Sequence, residues 1–332
     1  MRLPHRRNFL RLAVGAAGLP ILPWIAEAQN FPARNITIIV PFVPGGSTDA
    51  AARRVGEHMA STLGQNVLIE NIGGGGGMLG TGRVARAAPD GYTLLLHQLA
   101  LATNVTLFPR APFNVENDLA GVGLVNYSPM MIVGRKSLAA NSTAELMVWM
   151  KQAGQRARFA HAGPGSAAHL CAALFAASVG AQVEMIPYRG GTPAISDIVA
   201  GHVDLYCGPP AAAAEYVIAG TVKGYGIASK DRLARLPNVP SLVQLGFPAL
   251  EMRFWQGMYA PAGTPKPILE KLNAALRLAL ADPAVIKSFA QTDFNVFAVE
   301  EQTMAAADRL LRSEIARWGE IIRTNNIEAT PQ

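Results

Sequence analysis

Short apolar runs alternate with longer mixed segments along most of the chain, and that alternation predicts strands and helices in turn. Ile36-Thr37-Ile38-Ile39-Val40 reads as a strand. Pro41–Ala50 follows as a turn, and Ala51-Ala52-Arg53-Arg54-Val55 opens a helix that Gly64-Gln65 breaks after about Leu63. Val67–Asn71 is a second strand; Ile72 and the five glycines Gly73–Gly77 lead into a helix from Met78 to Ala87. Pro89-Asp90-Gly91 turns into the apolar strand Tyr92–Leu96. Strand, helix, strand, helix, strand implies an α/β fold with a parallel sheet and helices on its faces.

Residues 107–119 look irregular around Pro109 and Pro112, and strands follow at Gly121–Val125 and Met130–Val133. Ser142 and Glu145 have capping-box spacing before a helix that contains Trp149. Three further strands then run through glycine-containing turns into helices. Arg158–Ala162 passes through 163–166, Val183–Pro187 through 188–193 to Ala194–Ala200, and Val203–Cys207 through Gly208-Pro209-Pro210 to Ala211–Ile218. Val222–Ala228 is another strand, 237–248 a loop-rich connector, and Trp255–Pro261 a strand returning to the first unit. Helices at Ile268–Leu280, Ala284–Gln291 and about Glu300–Arg323 close the chain. The last places Met304, Leu311, Ile315, Trp318 and Ile322 near one face and leaves Arg309, Arg312, Glu314 and Arg317 to solvent.

Open α/β sheets bind ligands at the carboxyl ends of their strands. Here five glycine-containing turns sit at such ends, and two units facing each other would direct them into one cleft. The first turn, Pro44-Gly45-Gly46-Ser47-Thr48-Asp49, lets the backbone approach a ligand. Ser47, Thr48 or Asp49 is placed to cap the following helix, whose free N–H groups attract anions. Gly75, Gly77 and Gly80 also satisfy G-x-G-x-x-G. The acidic residue that a dinucleotide site needs about 20 positions on is missing, because the next strand ends Leu96-His97-Gln98.

With 332 residues there is room for two domains with their own cores, and 50% hydrophobic residues argue against disorder. The first 28 residues read as a targeting segment: Arg6-Arg7-Asn8-Phe9-Leu10-Arg11 resembles the twin-arginine export motif, with an ordinary Sec signal as the alternative. Ala26-Glu27-Ala28 is a small-residue cleavage signal, so cleavage is expected after Ala28 and the protein in the periplasm. No later run approaches the roughly 18 apolar residues of a membrane span. Losing residues 1–28 removes four arginines and one glutamate, leaving 25 basic against 22 acidic residues, a balance of +3 in place of +6. That is too small to imply nucleic-acid binding and mildly suits an anionic small ligand. Cys171 and Cys207 are the two cysteines; buried free thiols are the favoured reading, and an oxidising compartment permits a disulfide. No G-x-S-x-G elbow and no metal-ligand spacing occurs, so neither an enzyme nor a cofactor or metal is expected.

Five stretches resemble Bug-type receptors, the extracytoplasmic solute-binding proteins of tripartite tricarboxylate transporters. They are Val40–Asp49, Ala88–Leu95, Ala160–Ser166, Pro187–Gly191 and Ala260–Pro265, in order and at suitable spacing. The resemblance implies a two-lobed fold like a type II periplasmic binding protein, with the ligand cleft between the lobes. Residues 29–130 plus 254–332 would form one lobe and 131–253 the other. It implies a small organic carboxylate as ligand, membrane permease subunits as partners and a monomeric receptor. A sensor that presents ligand to a membrane regulator is the alternative. By match of motif, Gly45, Gly46, Ser47, Thr48, Gly77 and Met78 of the first lobe would contact ligand, facing Gly165, Ser166, Ala167, Tyr188, Arg189 and Gly190 of the second. Arg189 either pairs directly with ligand or points outward and offers its backbone alone. Gly208 is expected at the ligand as well; many members carry an acidic residue where this chain has Gly208-Pro209-Pro210, which argues against an amino-acid ligand and for a plain or apolar acid. Trp255, Tyr188 and Met78 would supply an apolar wall, unless Trp255 belongs to the core.

Overall fold

The computed structural model describes residues 31–328; the export segment and its cleavage site lie outside the described residues. Two sheets organise them. The first has the order β11-β4-β10-β3-β1-β2, formed by β1 (Ile36–Val40), β2 (Val67–Asn71), β3 (Thr93–Gln98), β4 (Leu119–Pro129), β10 (Arg253–Pro261) and the two-residue β11 (Asn295–Val296). The second has the order β7-β6-β8-β5-β9, formed by β5 (Met131–Arg135), β6 (Arg158–His161), β7 (Glu184–Pro187), β8 (Leu205–Gly208) and β9 (Val222–Ile227). β1 pairs in parallel with β2 and β3, whereas β10 lies antiparallel between β3 and β4.

The chain passes between the sheets twice, at Met130 and through 228–252. These crossings are tied together: the Ala228 N–H donates to the Met130 carbonyl at 2.8 Å, and the Met252 N–H donates to the Ala228 carbonyl at 3.0 Å.

Helices cover both sheets. α1 (Ser47–Leu63) buries Ala52, Val55 and Met59, and Gly56 lets it settle onto Val67 and Ile69. It stops at Gly64, which adopts φ +68 and donates to the Ala60 carbonyl. α2 (Met78–Ala85), α3 (Ala100–Leu107), the single turn α4 (Val115–Asp118) and α5 (Thr143–Ala153) follow. α6 (Ala167–Val179), α7 (Gly191–Ala200) and α8 (Pro210–Ile218) belong to the second sheet. α9 (Lys266–Ala281), α10 (Pro283–Ala290) and α11 (Met304–Thr324) pack on the first. No described helix is long and apolar enough to cross a membrane.

Several expectations change. α1 begins at Ser47 rather than Ala51, and its cap is Gly46 with no side-chain bond. The Asp49 carboxylate reaches back instead, accepting from the Gly45 N–H at 3.0 Å while Arg53 pairs with it. α3 fills a stretch that carried no helix in the sequence reading, and β4 is eleven residues long rather than five. The two cysteines are not free thiols: Cys171 of α6 and Cys207 of β8 form a disulfide, with Cα atoms 6.1 Å apart. Glu314 is not on a solvated face. It is 9% exposed, and its Oε2 accepts from the indole N–H groups of Trp255 (3.2 Å) and Trp318 (3.0 Å). That pair also fixes Trp255 in the core rather than in a ligand wall, because an indole N–H buried without an acceptor is costly.

Candidate functional site

Four of the strand-to-helix turns converge on a cavity of about 430 Å3 between the two sheets. The starts of α1, α6, α7 and α8 all line it: Ser47 and Thr48, Ala167 and Ala168, Gly191 and Thr192, Ala211 and Ala212. The first N–H groups of a helix have no carbonyl within the helix to bond, and they sit at the positive end of its dipole. Two of the hydroxyls are committed within the protein. The Ser166 hydroxyl caps α6, accepting from the His169 N–H at 3.2 Å and donating to the Gly163 carbonyl at 2.6 Å. Thr48 Oγ1 accepts from the Gln256 side-chain amide at 3.3 Å.

Charge in the lining is sparse. Arg54 is its one ionisable cation, and the described lining includes no Asp, Glu, Lys or His. Neutral polar groups form part of the rest. Gln98 spends its Oε1 on the Ala100 N–H at 3.0 Å, which starts α3 and leaves its NH2 toward the cavity. Asn126 is 1% exposed, and its Oδ1 has no protein partner. A bulge aims it: Asn126 faces Gln256, but the next residue, Gly257, faces Leu124. Tyr206 fits between α7 and α8 because Gly191 and Gly208 have no Cβ; either would collide with its phenol oxygen. Phe254, Phe289 and Phe294 add an aromatic wall.

Of the residues expected from sequence to bind ligand, Gly45, Gly46, Ser47, Thr48, Ser166, Ala167 and Gly190 line the cavity. The other six stand outside the lining. Gly77 is packed so closely on the buried His97 ring that a Cβ would lie 2.8 Å from Nε2. Met78 sits half-buried at the start of α2. Gly165 donates to His169 Nδ1 (3.3 Å) and accepts from Thr103 Oγ1 (2.8 Å). The Tyr188 hydroxyl donates to Asp197 at 2.6 Å; burial and that carboxylate raise its pKa to about 12. Arg189 is exposed, and Gly208 lies under Tyr206. Sequence reasoning missed Arg54, Gln98, Asn126, Tyr206 and the three phenylalanines. Helical spacing would have found one of them: Ser47, Ala50, Ala51 and Arg54 are a single i, i+3, i+4, i+7 face of α1.

The two sides touch around the cavity. Thr103 bonds Gly165, Gly190 would place a Cβ 3.0 Å from Val43, and the Gly76 backbone lies against the Pro164 carbonyl. Arg235, on the 228–252 segment, donates to the Gln291 carbonyl at 2.8 Å and to Glu215 of α8 at 2.9 Å. Its Nε stands 3.0 Å from Asp293 Oδ2, a charge pair without an aligned N–H. Burial raises the Asp293 carboxyl pKa, and Arg235 opposes that rise. At Asp49 burial also pushes upward, but Arg53 and the Gly45 N–H outweigh it and the carboxyl stays below its ordinary value.

Three histidines are buried behind the cleft. Burial lowers His97 and His161 to about 4 and His169 to about 3, the last also through His161, whose ring centroid is 4.5 Å away. All three are neutral at pH 7, and in the unfolded chain they take up protons below about 6.5. The unfolded state therefore binds more protons between about pH 6.5 and 4, and stability falls as pH drops through that window. At pH 5.5 the cost is about 1 kcal/mol per histidine, so Tm is expected to fall by several degrees between pH 7 and 5.5. A flat Tm over that range would mean that the folded protein protonates them.

A family model described as "Tripartite tricarboxylate transporter family receptor" matches residues 51–327. An Agrobacterium vitis protein, described by its place in the TAR-I ttuE-ttuC′ intergenic region, is 39% identical over 303 residues, covering 91% of this chain and 88% of that protein. The structure of the periplasmic binding protein BugD superposes with a TM-score of 0.85 at 34% identity, over 90% of this chain and 99% of that one. MatC of Rhodopseudomonas palustris, solved with bound malate, gives 0.85 at 34% identity over 88% and 100%.

Proposed function

The chain belongs to the tripartite tricarboxylate transporter receptor family, and on that premise we propose that it captures a small organic carboxylate in the cleft and hands it to the membrane permease subunits of such a transporter. One observation carries the choice of ligand: four helix N-termini converge on a cavity whose described lining has one cation and no carboxylate. The malate bound to MatC and the periplasmic setting of BugD support the ligand class and the compartment. The receptor acts as a monomer. One lobe comprises 31–130 with 254–328, the other 131–253, and closure of the lobes around ligand is the functional motion.

The forces suffice. A micromolar receptor needs about −8 kcal/mol. Hydrogen bonds to a charged group contribute roughly 1.5–3 kcal/mol each, against an association cost of about 4–15 kcal/mol. Four to six backbone N–H groups around one or two carboxylates meet that range. Asn126 and Gln98 complete the ligand's hydrogen bonds, directly or through water. Amino acids are disfavoured, because the described lining has no carboxylate to pair an ammonium.

A thermal-shift panel of organic acids tests this. A ligand at about 100 times its Kd adds about 2.7 kcal/mol, a rise of several degrees. Ser47→Ala combined with Thr48→Val is expected to weaken binding about tenfold or more, about 1.4 kcal/mol, at unchanged fold. A broad panel with no binder in calorimetry removes the carboxylate reading; unchanged affinity in the double variant moves the site away from α1.

A further inference from the structure

The face of α1 that lines the cavity does not end at its N-terminus. Ser47, Ala50, Ala51 and Arg54 follow one another down it. Arg54 lies seven residue steps along the helix from Ser47, about 10 Å along the axis. The two alanines between them leave that path open to a ligand. Arg54 makes neither an ion pair nor a side-chain hydrogen bond among the described residues, unlike its neighbour Arg53, which is committed to Asp49 and Asn71. The same cavity carries the aromatic wall. Phe254 and Phe294 meet edge to face, with centroids 5.8 Å apart, and Phe289 of α10 joins them. All three are at most 5% exposed, yet each presents surface to the cavity.

A compact, fully hydrophilic acid held at the helix N-termini would leave this wall against water and Arg54 unused. Resting on the carboxylate reading above, we propose that the ligand is a dianion: one carboxylate at the helix N-termini, the second at Arg54, joined by an apolar, ring-sized body that packs on the phenylalanine wall. Arg54 then sets the preference for diacids over monoacids, and the wall sets the preference for an apolar spacer over a short polar one. An arginine suits the outer end, since its planar fork matches a carboxylate in two-point contact.

Calorimetry with four probes separates the parts: 4-carboxyphenylacetate, phenylacetate, butanedioate and aspartate. The ring diacid is expected to bind about tenfold or more tighter than phenylacetate and than butanedioate, with aspartate the weakest. Arg54→Gln is expected to bring the diacid-to-monoacid ratio below about twofold, and Arg54→Lys to restore part of it. Phe289→Ala is expected to erase the advantage of 4-carboxyphenylacetate over butanedioate. Equal affinity for phenylacetate and its diacid, or an unchanged ratio in Arg54→Gln, overturns the role of Arg54. Butanedioate binding as tightly as the ring diacid overturns the role of the wall and leaves carboxylate capture standing. Binding of none of the four, alongside a blank organic-acid panel, brings down both readings.

Discussion

Replacing Gly76 by alanine is expected to weaken ligand binding roughly 30- to 100-fold, about 2–2.7 kcal/mol, without touching the ligand. Gly76 is outside the cavity lining, on the glycine loop before α2, with φ +63. A Cβ there would overlap the Pro164 carbonyl oxygen, which belongs to the turn before α6 on the other side of the cleft. The strain of alanine at positive φ, roughly 1–2 kcal/mol, burdens the open and closed forms alike. The overlap with Pro164 exists only when the two sides meet, so it subtracts from closure and hence from affinity. Calorimetry should show the loss. Small-angle scattering should show a larger radius that saturating ligand fails to reduce. A Tm lowered by only a few degrees would establish that the fold survives. Wild-type affinity in this variant would mean that the turns need not meet for ligand to be held.

Arg235→Ala is expected to cost five- to tenfold in affinity, about 1–1.4 kcal/mol, through faster ligand release rather than slower capture. Arg235 ties three things at once: Glu215 on α8, the Gln291 carbonyl and Asp293, the last two following α10. Glu215 is 77% exposed and its pairing contributes little. Asp293 is 10% exposed and held at φ 60, so losing its cation leaves a mostly buried carboxyl without compensation. Arg235→Lys keeps the charge but not the three-way fork, and an intermediate release rate is expected. Stopped-flow displacement reads the outcome directly. An unchanged dissociation rate would show that this tie does not hold the lobes.

Much of the α/β order could be read locally, because strands buried by helices on both faces are short continuous apolar runs such as Leu94-Leu95-Leu96. β4 was harder. Gly121–Val125 reads as strand despite its two glycines, which are needed because a Cβ would meet Asp308 Oδ1 at 2.7 Å and the Gln302 carbonyl at 2.9 Å, but the polar Asn126-Tyr127-Ser128 and Pro129 conceal its second half. α3 carries little local signal, since Leu99-Ala100-Leu101-Ala102 is a short apolar run directly after His97-Gln98 and its N-cap is Leu99, which offers no side-chain cap to mark a helix start. Glu314 looked solvated because helical charge usually is; only the tertiary fold brings two indoles to it. The disulfide was out of reach for a similar reason, as no local rule sets the distance between residues 171 and 207. In the cleft, the backbone contributors were legible as glycine turns. Asn126 was not, since its direction depends on a bulge between strands far apart in sequence. Tyr206 was not either, because the space it occupies is set by Gly208 of its own strand together with Gly191 of α7.

The position of β10 also governs how the molecule comes off the ribosome. The sheet of residues 131–227 is built from one continuous stretch and can close as soon as that stretch has emerged. The other sheet cannot. β3 and β4 never pair with each other; β10, from residue 253 onward, is the strand that joins them. Through the synthesis of more than a hundred residues after β4, the first half of that sheet waits with an unpaired edge at β3. Such a long-range strand insertion is slow to find its register, and during that wait the nascent chain exposes an edge on which a holding chaperone would act.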